Sequence, residues 1–256
     1  MDDLFVSRDG AVATVTLNRP DKLNALDRSL WISVGAAFRA LDGDEGLRCV
    51  ALRGAGGNFG AGADIGEFPE HRTGAEAARA YYAIMGETMD AIVQCRHPTV
   101  ALIEGACVGG ALELALCCDL RLASATSRFG VPIQKIAVNM AYPELEALIA
   151  VVGRANALEI LLEGRVFPAD EALQKGLVGR VVPSDQFEAE GQACVRRIAA
   201  GAPLVHRFHK RAANVLLRAE PTSAERDEAL ATFASEDFKE GQAAFVAKRP
   251  PVFRGR

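Results

Sequence analysis

Glu113 stands in the run Ala111-Leu112-Glu113-Leu114-Ala115-Leu116, where a carboxylate has no evident structural use, three residues after the glycine pair Gly109-Gly110. A glycine pair that opens a helix presents free N–H groups and the positive end of the helix dipole, and both favour negative charge. The spacing keeps Glu113 on the same face in the first turn. A second glycine-rich segment, GAGGNFGAGADI at residues 54–65, also follows an apolar run and can present a further N–H without side-chain obstruction. Two such donors make an oxyanion hole, and an acid beside one is suited to proton transfer. The plainer reading of Glu113 is an N-terminal glutamate that completes a helix cap. This segment alone leaves both open.

Other chemistries fail on spacing. The loop at 54–62 lacks the Lys-Ser/Thr ending of a phosphate-binding loop, and Phe59 stands where a dinucleotide fingerprint starting at Gly54 needs its third glycine. Residues 105–110 carry no such fingerprint either, and no GxSxG elbow occurs. His206 and His209 form an HxxH without glutamate, beside Lys210 and Arg211, and read as a solvated helix face. The six cysteines form no CxxC pair and mostly sit in apolar stretches, so buried reduced thiols are expected, with no disulfide and no metal site.

The elements that position these residues alternate. Residues 11–17 are β-branched and alternating and run into the turn Asn18-Arg19-Pro20, which predicts a strand. A helix is predicted over 29–41. Strands over 49–53 and 99–104 each lead into a glycine-rich turn, and a helix over 111–118 follows the second. Further strands over 119–123 and 177–182 predict an α/β protein with buried strands. From about residue 185 the pattern is helical, with periodic apolar positions over 187–199, 204–217 and 224–233. A boundary near Ala200-Gly201-Ala202-Pro203 divides a core of residues 1–200, responsible for binding and catalysis, from a C-terminal helical region of residues 201–256. That region is too small to hold much core alone, and is expected to pack on the core or on a neighbouring subunit.

Composition narrows the class. The 256 residues are 50% hydrophobic and 24% charged, which excludes disordered, collagen-like and coiled-coil chains. With 29 Lys and Arg against 33 Asp and Glu, no electrostatic footprint for nucleic acid or an anionic membrane is visible. The start, Met1-Asp2-Asp3-Leu4-Phe5, is acidic where an export or transit signal is basic, and no apolar run approaches the ~20 residues of a membrane span. A soluble, cytoplasmic protein is expected, with neither nucleic acid nor membrane as partner.

Five stretches carry a family resemblance: LNRPDKLNALD (17–27), NFGAGADI (58–65), PTVALIEGACVGGALELALCCDLRLAS (98–124), LLEGRVFPADEALQKGLVGRVVP (161–183) and DFKEGQAAFVAKRPPVF (237–253). In this order and spacing the chain resembles the crotonase superfamily, the enoyl-CoA hydratase/isomerase family, nearly end to end. The resemblance implies a crotonase-like (ClpP/crotonase) spiral of ββα units with a C-terminal helical region. It also implies acyl-CoA thioester substrates, no cofactor beyond the coenzyme A of the substrate, no metal, and assembly as a homotrimer or dimer of trimers. By matching position, the N–H groups of Ala63 and Gly110 would hold the thioester oxygen and Glu113 would be the principal acid/base. Coenzyme A contacts would fall on Lys22, Leu23, Ala25, Ala61, Ile65 and Gly109. Phe245 and Lys248 would add to them from a C-terminal helix, with Lys248 directed at a phosphate or the adenine end. Asp64 belongs to this group as a residue that caps or orients its loop.

The chain departs from the family at position 133. Hydratases of the family carry a second glutamate there, and this chain has Ile133, in a segment aligned without a gap through Phe129 and Pro132. Two-carboxylate water addition is therefore expected to be impaired, since an acid–base group contributes ~10²–10⁴-fold. The family's alternative acid positions match Ala141 and Tyr142, and neither is acidic. Ile133, Tyr142 and Glu144 are assigned to the acyl pocket. Glu144 and Glu146 open a helix, where acids favour the dipole and are expected to face water, although either can swing toward that pocket. A single carboxylate suits double-bond shifts, thioester hydrolysis or β-elimination. The expected function is that of a hydratase/isomerase-type enzyme of fatty-acid or related acyl-CoA metabolism. The alternatives are a thioester hydrolase and a catalytically silent coenzyme A-binding homologue, which would have no reason to keep Glu113.

Overall fold

A computed structural model describes residues 2–217 and 219–256. Among the described residues there are nine strands: β1 (Leu4–Asp9), β2 (Val12–Leu17), β3 (Cys49–Gly54), β4 (Thr99–Ile103), β5 (Ala106–Val108), β6 (Leu120–Ser124), β7 (Arg128–Gly130), β8 (Phe167–Pro168) and β9 (Arg180–Val182). The helices of the core are α1 (Arg28–Asp42), α2 (Phe68–His71), α3 (Ala75–Gln94), α4 (Gly110–Cys117), α5 (Tyr142–Glu163), α6 (Ala169–Gln174) and α7 (Phe187–Ala199). After them come α8 (Pro203–Leu216), α9 (Ser223–Ala231) and α10 (Glu236–Val246).

A six-stranded sheet has the order β1-β2-β3-β4-β6-β9, antiparallel between β1 and β2 and parallel elsewhere. A small sheet, β5-β7-β8, stands beside it. The chain alternates between the two sheets and then a helix: β4–β5–α4 and β6–β7–α5 are complete ββα turns of a spiral. Two earlier turns have single bridging residues in place of the second strand. Leu26, between β2 and α1, bridges to Ala63, and Gly60, between β3 and α3, bridges to Cys107 of β5.

Local chemistry sets the elements. Asp27 caps α1 by accepting from the Leu30 N–H at 2.8 Å, and the helix buries Leu30, Trp31, Val34 and Phe38 at three- to four-residue spacing. Helices α1, α3 and α4 build the larger core on one face of the sheet, while α7 covers the other face with Phe187, Gly191 and Val195. In α8 only Pro203 is buried among the described residues. That helix is tied to the core by Lys210, which pairs with Asp119 at 2.9 Å and donates to the His97 carbonyl at 3.1 Å. All the anticipated strands and helices are present within a few residues of their expected ends. The sequence pattern had exposed neither α3 nor the strands β5, β7 and β8, which at two or three residues are too short to show periodicity.

Because β2, β3, β4 and β6 are parallel, their carboxyl ends lie on one edge, and the glycine-rich turns after β3 and β4 emerge together there. Among the described residues, no helix is long and apolar enough to cross a membrane.

Candidate active site

The two glycine turns are stitched to each other and to the segment before α1. Gly60 donates to the Ala106 carbonyl at 2.7 Å and accepts from Val108 N–H at 3.0 Å, while Leu26 donates to Gly62 at 2.7 Å and accepts from Asp64 N–H at 2.8 Å. The closest approach requires glycine on both sides. Gly62 has φ +100°, and a Cβ there would lie 2.9 Å from the Val108 carbonyl oxygen. Gly109 has φ 52° and ψ −128°, a region closed to residues with a side chain, and packs against Gly62. Next to these glycines, the N–H groups of Ala63 and Gly110 donate to no acceptor among the described residues. Both residues line a chamber of about 280 Å³.

Glu113 projects into the same chamber and is only 6% exposed. It does not cap its helix. The Gly109 N–H that a capping glutamate would accept from donates instead to the Gly130 carbonyl at 2.9 Å, and α4 has no side-chain cap. Burial, reinforced by the negative charge of Glu144, pushes Glu113 up to about 8, so it holds its proton at neutral pH.

Glu144 lies in the chamber too, 2% exposed. Burial raises its pKa, opposed in part by the backbone N–H groups of Ala141 and Glu144. The expectation that the acids of this first turn face water is correct for Glu146, which is exposed, and wrong for Glu144. The reason is helical phase. Glu144, Leu148 and Val152 form a buried stripe at i, i+4 and i+8, and Glu146 is off it. That stripe was a sequence signal that could have placed Glu144. Ile133 lines the chamber wall beside these acids.

Seven buried side-chain polar atoms have no hydrogen-bond partner among the described residues, and four belong to this chamber: Trp31 Nε1, Arg72 Nε, Glu113 Oε2 and Glu144 Oε2. Orphaned buried polar atoms are rare in folded proteins, so their concentration in one cavity marks it as a candidate polar binding site.

The remaining assigned residues divide into three groups. Ala61, Ile65 and Gly109 line the chamber. Lys22, Leu23 and Ala25 form a turn at its margin: Ala61 N–H donates to the Leu23 carbonyl at 2.9 Å, and Lys22 pairs with Asp64 at 2.8 Å. Asp64 caps its loop by accepting from Gly66 N–H at 3.3 Å and also pairs with Arg19 at 3.1 Å. Lys22 first, and then Arg19, hold its carboxyl below the usual range. Tyr142, Phe245 and Lys248 are not in the chamber. Tyr142 is 89% exposed and lines a separate groove with Leu116 and Leu145, because the first residue of α5 points away from the stripe that carries Glu144. Phe245 is 86% exposed. The segment after α10 is held at the start of β3, where Arg48 donates to the Phe253 carbonyl, at the opposite end of that strand from the glycine turns.

Sequence reasoning missed Trp31, Phe68, Arg72, Tyr82 and Met85, all chamber residues. Arg72 follows α2, with its guanidinium 3.8 Å from the Tyr81 ring centre and 4.5 Å from that of Phe68. Its Nη2 contacts Met85 Sδ at 3.2 Å. No local pattern announces this cluster, because α1, α2 and α3 assemble it only on folding. Among the described residues, no group of three or more His, Cys, Asp or Glu could hold a metal ion.

The family profile described as Enoyl-CoA hydratase/isomerase matches residues 7–256. A probable enoyl-CoA hydratase of Mycobacterium tuberculosis is 36% identical over 259 residues, covering 100% of this chain and 99% of the relative. A crotonyl-CoA hydratase of Syntrophomonas wolfei is 30% identical, with 98% of each chain covered. Among solved structures, an enoyl-CoA hydratase/carnithine racemase from Magnetospirillum magneticum superposes with a TM-score of 0.98 at 50% identity, covering 100% of this chain and 97% of the other.

Proposed function

The chain belongs to the enoyl-CoA hydratase/isomerase family of enzymes, with the crotonase fold, and from that premise we propose that it adds water to a short enoyl-CoA thioester with Glu113 and Glu144 as the acid–base pair. The observation that carries this reading is the presence of two buried carboxylates, each with an unpartnered oxygen, in one chamber. Glu144 supplies from α5 the second acid that Ile133 does not.

In this mechanism the Ala63 and Gly110 N–H groups take the thioester oxygen and stabilise it as negative charge accumulates there. Glu144, as carboxylate, removes a proton from water while the water oxygen bonds to Cβ. The electrons of the double bond move toward Cα and the thioester, and Glu113, protonated at neutral pH, gives its proton to Cα. The pair ends with its proton exchanged and resets through solvent. No electrons leave the system, so the reaction so written calls for no redox cofactor.

The coenzyme A moiety extends over Lys22, Leu23, Ala25, Ala61 and Ile65, where Leu23 and Ile65 offer exposed apolar surface. Phe245 and Lys248 complete the site of a neighbouring subunit in a homotrimer or dimer of trimers. The cytoplasm is the compartment this reading assigns. In support, all six cysteines are free and five are buried.

Hydration of crotonyl-CoA tests the proposal. Wild-type protein forms 3-hydroxybutyryl-CoA, and Glu113→Gln and Glu144→Gln each lose at least ~10²-fold in kcat while retaining acyl-CoA binding. Wild-type turnover by Glu144→Gln would return the mechanism to a single glutamate. Release of free coenzyme A in place of hydration would favour the hydrolase, and binding without any turnover would favour the silent homologue.

A further inference from the structure

Arg72 meets none of the reacting atoms in that mechanism, although its charge favours the ionised forms of Glu113 and Glu144, and it is placed in the wall of the reaction chamber. Its guanidinium is held by rings: Tyr81 and Phe68 lie within 4.5 Å of it, and Tyr82 is at 5.9 Å. No carboxylate comes within ion-pair distance of it among the described residues, and its Nε is buried without a partner. A partly buried cation with that inventory is normally paired, because the desolvation of an unpaired charge is costly. Of the other cations near the site, Lys135 also lines the chamber but is exposed to solvent, and Lys22 is outside it and already paired with Asp64.

We propose that Arg72 is an anion subsite for the acyl group, so that the preferred substrates carry a second carboxylate, as the monothioester of a short dicarboxylic acid does. The inference rests on the reading that this chamber receives the acyl group. The planar guanidinium offers parallel N–H donors that match a carboxylate, and the aromatic faces fix its orientation before the ligand arrives. Glu113 and Glu144 both feel its charge, but neither lies within ion-pair distance of it, so the guanidinium fork is left to a ligand. A monoanion is favoured over a phosphate dianion, because Glu144 shares the same small space. An unbranched hydrocarbon acyl chain would cover the guanidinium without pairing it and is therefore discriminated against.

Saturated thioesters separate binding from turnover. In calorimetric titration of the full chain, glutaryl-CoA should bind at least ~10-fold more tightly than pentanoyl-CoA, which has the same number of acyl carbons. Arg72→Met should reduce that ratio to about one, and Arg72→Lys should restore part of it, as a charge without the planar fork does. Equal affinities in the wild type would overturn the proposal without recourse to any variant, as would a preference that survives Arg72→Met. Preferred binding of glutaryl-CoA without hydration of glutaconyl-CoA would uphold the subsite and remove the hydration reading. Hydration of crotonyl-CoA without a glutaryl preference would do the reverse.

Discussion

Glu113 is an acid that folding keeps protonated, and that has a measurable consequence beyond catalysis. Its pKa rises from 4.5 to about 8 on burial, so the folded state holds this proton more tightly than the unfolded chain. Stability contributed by the group is therefore present at low pH and is lost as pH rises through that window, at up to about 1.4 kcal/mol per pH unit. Glu113→Gln keeps the shape and removes the ionisation. The variant should match the wild type near pH 4.5 and exceed it by up to about 5 kcal/mol above about pH 8, in denaturant unfolding at the two pH values. A gap that did not change with pH would show that Glu113 ionises freely in the folded protein.

At the scale of the element, the opening of α4 does two jobs with two glycines. Gly109 turns the chain through a left-handed conformation, and Gly110 starts the helix with its N–H free and its Cα close to Trp31, which leaves 3.0 Å to any added Cβ. A side chain at Gly109 is strained by about 1–3 kcal/mol and shifts the donor that follows it. Gly109→Ala should fold, lose that much stability, and fall at least ~10²-fold in kcat because the Gly110 N–H no longer meets the oxyanion. Thermal unfolding and steady-state kinetics on one preparation check both parts. Intact turnover in a destabilised variant would separate the glycine's fold role from any role in catalysis.

For the whole molecule, the issue is what covers the apolar surface outside the chamber. Tyr142, Leu120, Leu216, Leu217, Phe233 and Phe245 are all exposed, and much of this surface belongs to the helices after residue 200. Exposed apolar area of this kind marks an interaction face. Sedimentation equilibrium should give three or six times the 27.2 kDa chain mass. A monomer at micromolar concentration would leave Phe245 and Lys248 without a neighbour's site to complete.

The chain's own order of residues was enough to determine the glycine turns, the apolar helix bearing Glu113, the alternation of strands and helices, and the family blocks. Each of these rests on contacts within a few residues or on a periodic pattern, so each is legible along the chain. Ile133 was equally legible as a missing acid. Whether Glu144 or Glu146 turns toward the pocket was left open, although the four-residue spacing of Glu144 to Leu148 and Val152 was present, because an acid on an apolar stripe is only buried if something packs over it. Tertiary structure alone buried Glu144 rather than Glu146, by laying α5 over the chamber, with the Tyr82 hydroxyl of α3 donating to the Asn139 carbonyl at 2.8 Å in the segment before it. It also brought Arg72 against Tyr81 and into line with Glu113, forty-one residues later in the sequence. A charge unpaired in its own segment gains its meaning from the cavity that three separate helices enclose, and no local pattern encodes that cavity.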